Sequence, residues 1–294
     1  MLIYLDSSNL IDLCQGKACI NLSNFAEWLE RRSHKAVFSL QTLIELSDPL
    51  RIGNILEVRK DLNSLEQLPH IFVNEGRICQ LELYEAIKAL DEGREYRFEA
   101  VCSFSSRLDG ALDLFGEPQN IVEAGSIVPT AAIVNYRMSE CILDLWRRDP
   151  LIFDVQRRHE ADWKRVIEAD RALEKPPSLE GNFVKKMAGD LRSHRISFPP
   201  ERVEELAGFV YSSPERCPGI RLQYETQHQF RLDKNSSTRA SDIIDLTRIP
   251  AVPYVDFFIT DKRMMEYSRR AAKVIERSYA QLFGDLRAVL AAFS

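Results

Sequence analysis

Residues 254–264, YVDFFITDKRM, hold a strand-forming run (Val255, Phe257, Phe258, Ile259) with Asp256 near its start and Asp261 just past its end. An apolar run of this length reads as a strand buried on both faces of a sheet. An aspartate at the strand's C-terminal end either begins the turn into the next element or presents a carboxylate at the edge where open α/β sheets bind ligands. Asp256, at the start of the same strand, falls at the opposite edge and reads as structural.

The opening of the chain repeats the pattern. LIYLD, residues 2–6, is a short apolar run ending in Asp6, and SSNLIDL, residues 7–13, supplies serine and asparagine to cap a following helix. Residues 23–33 read as a helix, and KAVFSLQTLIELSD, residues 35–48, reads as a strand over Ala36 to Phe38 and then a helix capped by Ser39 or Thr42 and carrying Glu45. An amphipathic helix over 51–68, a strand in HIFVNE (70–75) and a helix over 77–90 continue the alternation. Strands alternating with helices predict an α/β fold with a central, mainly parallel sheet.

Between 96 and 235 the pattern changes to long helical stretches, 130–149 and 155–175, interrupted by KPPS, FPPE and SSPERCPG, whose prolines and glycine end helices. This span reads as a helical insertion that divides the α/β unit into residues 1–95 and 236–294. SDIIDLTRI (241–249), the strand VDFFIT (255–260) and a closing helix over 269–293 complete it.

The 294 residues are 45% apolar and 28% charged, the composition of an ordinary globular protein. A net charge of −5 gives no general attraction for nucleic acid, so a polyanionic partner must meet a local basic patch. The six cysteines show neither a CxxC pair nor the His spacing of a zinc site, and read as reduced thiols. MLIYL is too short for a signal-peptide core and no apolar run reaches the length of a membrane span. The expectation is a cytoplasmic protein with no membrane partner.

Asp6, Glu45, Asp242 and Asp261 are distant in sequence, yet each lies at a strand end or in a helix. Singly, each has an ordinary explanation as a helix cap, a solvated helix residue or a turn former. Gathered at one sheet edge, they need compensation. Two carboxylates about 4 Å apart repel by roughly 4 kcal/mol at an effective dielectric near 20, and carboxylate oxygens are the hard ligands that Mg²⁺ or Mn²⁺ takes. Asp245, one helical turn after Asp242, is on nearly the same face and is the alternative ligand from that helix.

Four segments resemble the motifs of the PIN-domain nucleases, in the same order. IYLDSSNLIDL looks like the opening strand, aspartate and helix. FSLQTLIELS resembles the second motif, a hydroxyl residue before a helix with a glutamate. SDIIDL is similar to the third and FFITDKRM to the fourth. The resemblance covers roughly residues 1–95 and 236–294. It implies a PIN-like three-layer α/β/α fold with a helical insertion, and metal-dependent phosphodiester hydrolysis, usually of RNA. Asp6 and Asp261 would be principal ligands of Mg²⁺ or Mn²⁺, Asp242 a ligand directly or through water, and Glu45 a ligand or the group orienting the attacking water. Ser7, Ser8, Asn9 and Thr260 would hydrogen-bond the carboxylates. Other readings are a structure-specific DNA nuclease and a degenerate PIN-like module that binds RNA or protein without cutting. Some relatives are toxins silenced by a separate partner, so an inhibitory protein or a homo-oligomer joins RNA among the expected partners.

RLDKNSSTRASD, residues 231–242, precedes a helix N-terminus, and its Arg231, Lys234 and Arg239 are the candidates for holding a substrate backbone. A second basic set (Arg157, Arg158, His159, Lys164, Arg165) is interleaved with acids and reads as a solvated helix face. Trp146 and Trp163 read as core. A phosphatase using Asp6 as nucleophile would want a second aspartate where Ser8 stands.

Overall fold

The computed structural model describes residues 1–106, 137–148, 162, 164–173, 178–235, 237–239 and 241–293. The chain begins with β1 (Leu2–Tyr4), α1 (Ser7–Cys14), α2 (Leu22–Arg31), β2 (Lys35–Ser39), α3 (Leu40–Leu46), α4 (Ile55–Leu65), β3 (His70–Val73) and α5 (Glu75–Glu92). It continues with β4 (Phe104–Ser105) and the helices α6 (Met138–Arg148), α7 (Leu179–Ser193), α8 (Val203–Tyr211) and α9 (Pro218–Leu232). It closes with α10 (Ser241–Arg248), β5 (Phe257–Ile259), α11 (Lys262–Val274), β6 (Gln281–Phe283) and α12 (Leu286–Ala292).

The six strands form one sheet in the order β4-β3-β2-β1-β5-β6, parallel throughout except for β4. Alternate residues on neighbouring strands serve opposite faces. Ile3, Ala36, Phe38, Phe72, Phe257 and Ile259 pack with Leu10, Leu13, Phe25, Leu43, Leu62 and Val289 from α1–α4 and α12. Tyr4, Val37, Val73 and Phe258 pack with Ile78, Leu222, Phe230, Leu246, Met264 and Tyr267 from α5 and α9–α11. Helices therefore cover both faces of the sheet, which explains why its strands read as continuous apolar runs. Among the described residues no helix is long and apolar enough to cross a membrane.

The helices of 179–232 are not a separate body. One side of α9 contributes Ile220 and Tyr224 to a cluster with Cys79 and Leu83 of α5, Phe183 and Met187 of α7, and Leu206 and Val210 of α8. Its Leu222 and Phe230 join the core against the sheet. Glu82 of α5, fully buried, holds the start of α9 by accepting hydrogen bonds from the Gly219 and Ile220 N–H groups at 2.7 and 2.9 Å, and from the Tyr254 hydroxyl. Those are donors that a helix leaves open in its first turn.

Three elements differ from the sequence reading. The closing helix expected over 269–293 is two helices separated by β6. The first ends at Val274, Glu276 takes a left-handed φ of 54°, and Gln281–Phe283 pair with Phe257–Ile259 before Asp285 caps α12. β4 lies within the 96–235 span, where two residues pair antiparallel with Phe72 and Val73. The amphipathic helix expected over 51–68 is shorter, because Gly53 in a left-handed conformation ends a preceding 3-10 turn and Asn54 caps α4.

Candidate metal centre

The chain runs outward from β1 through β2 and β3, then returns to place β5 on the other side of β1 and β6 beyond it. The edge beyond the C-terminal ends of β1 and β5 is thus the point where connection order reverses, the customary ligand crevice of such sheets. Ile3 is opposite Phe257 and Tyr4 opposite Phe258, so Asp6 and Asp261 leave adjacent strands side by side. Both are helix N-caps. An Asp6 oxygen accepts from Ser8 N–H at 2.6 Å and lies 3.3 Å from Ser7 Oγ, and Asp261 accepts from Met264 N–H at 2.8 Å. The capping role explains the local sequence.

Asp242 and Asp245 project from one face of α10. Asp242 is fully buried, accepts from the Arg239 backbone N–H at 2.5 Å and pairs with the Arg263 guanidinium. Asp245 is buried too, and its carboxyl is pushed up to about 7. Desolvation is the main cause; Arg248 opposes it, while Asp6, Asp261 and Glu45 add to it. Among the described residues, Asp242, Asp245 and Asp261 each offer an oxygen within 4.8 Å of those of the other two. Around an octahedral ion with bonds of about 2.1 Å, opposite ligands lie about 4.2 Å apart and adjacent ones about 3.0 Å, so the three carboxyl groups would draw together to share Mg²⁺ or Mn²⁺. Hard carboxylate donors fit such an ion. The triad could hold one.

The sequence reading missed Arg248. It is 2% exposed at the end of α10 and is surrounded by acids. It pairs with Glu45 through Nη2, and its Nη1 lies 3.3 Å from Asp245 and 3.9 Å from Asp6; Ser7 Oγ is 3.5 Å from Nη2. Its spacing from Asp245, one turn along SDIIDLTR, was the available signal. Glu75 was missed as well. It follows β3 at the same sheet edge, accepts from the Tyr4 hydroxyl at 2.6 Å, and has its carboxyl pushed up by burial. Four carboxyl groups thus share two guanidinium groups, Asp6, Glu45 and Asp245 with Arg248 and Asp242 with Arg263.

The remaining candidates divide. Ser7 contacts Asp6, and Ser8 does so through its backbone. Asn9 does not serve the acids: its oxygen accepts from Leu286 N–H at 3.2 Å and ties α1 to α12. Thr260 is buried beside Asp261, its backbone N–H bonded to Phe283. Of the three candidate substrate contacts only Arg239 adjoins the acids. Arg231 points to Asp170 at 2.9 Å, and Lys234 donates to the Leu173 carbonyl at 3.2 Å. Asp256 accepts from Leu2 N–H at 2.7 Å and anchors the start of β1, the structural role expected of it.

Lys164 and Arg165 are exposed and pair within their own helix. Arg157, Arg158, His159 and Trp163 lie outside the described residues, and Trp146 packs partly buried against the core. Cys14, Cys19, Cys79, Cys141 and Cys217 are free thiols.

A basic rim lies beside the triad. Arg263 donates to the Ser237 carbonyl at 2.8 Å, and Arg171 donates to Thr238 Oγ1 and the Phe230 carbonyl at 3.0 and 2.8 Å. Burial, followed by the nearby Arg239 and then Arg171, lowers the Arg263 pKa, so these cations sense one another. Comparison with protein-family models, with curated proteins and with solved structures finds no match to this chain.

Proposed function

We propose that the chain is a divalent-metal-dependent nuclease with a PIN-like catalytic fold, cutting RNA phosphodiester bonds. The observation that carries this reading is the convergence of Asp242, Asp245 and Asp261, with Asp6 beside them, at the crevice where β1 and β5 part. Asp242, Asp245 and Asp261 would hold the ion, which would supply an acidified water and offset charge developing on the phosphate. Asp6, from the neighbouring strand, and Glu45, kept in place by Arg248, would orient water at the site.

The rim of Arg171, Arg239 and Arg263 supports a phosphodiester substrate. It places positive charge next to the acids on a chain whose net charge is −5, the local compensation that a phosphodiester needs. A rim this small suits a few phosphates of a single strand rather than a long duplex, which demands many contacts. The test is incubation with labelled single-stranded RNA and DNA under Mn²⁺, Mg²⁺ or EDTA, beside an Asp242→Asn/Asp261→Asn double variant. RNA cleavage that needs the metal and vanishes in the double variant is expected. Cleavage indifferent to chelator and variant would reject the metal mechanism, and cleavage of DNA alone would reject RNA as substrate.

A further inference from the structure

Resting on that metal reading, the acidic cluster divides into two sets of carboxyl groups, one that could hold an ion and one that surrounds a guanidinium. The first is bounded by Asp242, Asp245 and Asp261. The second is bounded by Asp6, Glu45 and Asp245, and the Arg248 guanidinium stands in it, paired with Glu45, 3.3 Å from Asp245 and 3.9 Å from Asp6. Asp245 belongs to both sets, as does the bridging carboxylate of a two-metal centre, whose ions lie about 3.5–4 Å apart. We propose that Arg248 is a built-in counter-ion that takes the second cation position and limits the site to one divalent ion.

Three properties support this assignment. Arg248 is 2% exposed, on the last turn of the helix that also carries Asp242 and Asp245, so its position is fixed by the same backbone as two of the ligands. A guanidinium does not deprotonate in proteins, so it remains a cation at any pH where the carboxylates bind metal. A second divalent ion between Asp6, Glu45 and Asp245 would have to displace it or share its space, and like charges repel strongly at that range. Arg248 is too buried to reach a substrate phosphate. Its role is positioning: it keeps Glu45 and Asp6 aimed at the site without a second metal.

The experiment counts Mn²⁺ ions per chain by native mass spectrometry and calorimetric titration, with electron paramagnetic resonance of the bound ion. The full-length chain is compared with Arg248→Lys and Arg248→Met. The unsubstituted chain and Arg248→Lys are expected to bind one Mn²⁺ with a resolved six-line spectrum. Arg248→Met, folded by circular dichroism, is expected to bind two, with an exchange-broadened spectrum. A purely structural role for Arg248 would lower stability in the variants and leave the count at one. Two coupled ions in the unsubstituted chain would overturn the proposal and leave the metal reading standing, as would one ion in folded Arg248→Met. If Arg248→Met does not fold, a folded Arg248→Gln variant, neutral but still able to donate to Glu45, decides: two ions support the assignment and one overturns it. A folded chain that binds no Mn²⁺ removes the metal reading, and this assignment with it.

Discussion

Two aspartates bracket β5, and their partners separate their roles. Asp256 accepts from Leu2 N–H across the start of the sheet, whereas Asp261 shares a position with Asp242 and Asp245. Substituting Asp256→Ala is expected to cost about 1 kcal/mol, the net worth of one hydrogen bond, measured by urea unfolding, with Mn²⁺ affinity unchanged. Asp261→Asn is expected to weaken Mn²⁺ binding by at least the roughly 10–100-fold that loss of an outer partner costs. Equal affinities in the two variants would contradict the assignment. The residue-level signals were unevenly legible. Asp6 and Asp261 stood out because each follows an apolar strand. Arg248 was hidden because a basic residue in a last helical turn has a ready explanation in the helix dipole, as Glu75 has in a first turn.

At the scale of elements, the joint between α5 and α9 depends on close approach. A Cβ on Gly219 would lie 2.7 Å from the Pro250 carbonyl oxygen and 3.0 Å from a Glu82 oxygen. Gly219→Ala is therefore expected to cost about 1–3 kcal/mol, read as a lower midpoint in thermal unfolding. Burial raises the Glu82 carboxyl from the ordinary 4.5 to about 7, its hydrogen bonds from Tyr254, Ile220 and Gly219 only partly opposing this. Between those values the native state keeps a proton that the unfolded chain releases, so stability falls as pH rises through the window and levels off above about 7. The contribution is of order 3 kcal/mol. Glu82→Gln is expected to flatten the slope, leaving the part due to other carboxyls that burial raises, among them Asp245, Glu75 and Asp190. An unchanged slope would show that Glu82 does not hold its proton in the native state. β6 escaped the sequence reading because its flanks, RRAAKVIERSYA and DLRAVLAAF, are helix-forming, and only Gly284-Asp285 announces a break. β4, two residues long, is too short for any period to show.

For the whole molecule, the order of strands converts sequence distance into proximity. Asp6 and Asp261 stand far apart in the sequence and meet because β1 and β5 are neighbours, while Glu45 arrives on the helix that follows β2 and the α10 aspartates on the helix that precedes β5. The alternation of strands and helices made this assembly legible. The role of α9 in closing the second face of the sheet was not, since its apolar residues serve two clusters at once. Binding to the native state alone stabilises by mass action, so Mn²⁺ at about 100 times its dissociation constant is expected to add about 2.7 kcal/mol. The thermal midpoint should rise accordingly, and Asp242→Asn/Asp261→Asn should abolish the shift. The most direct measurement of the site is an anomalous difference map from a crystal soaked in Mn²⁺. A peak about 2.1 Å from oxygens of Asp242, Asp245 and Asp261 is expected; a saturated crystal with no peak among these three carboxylates would contradict it.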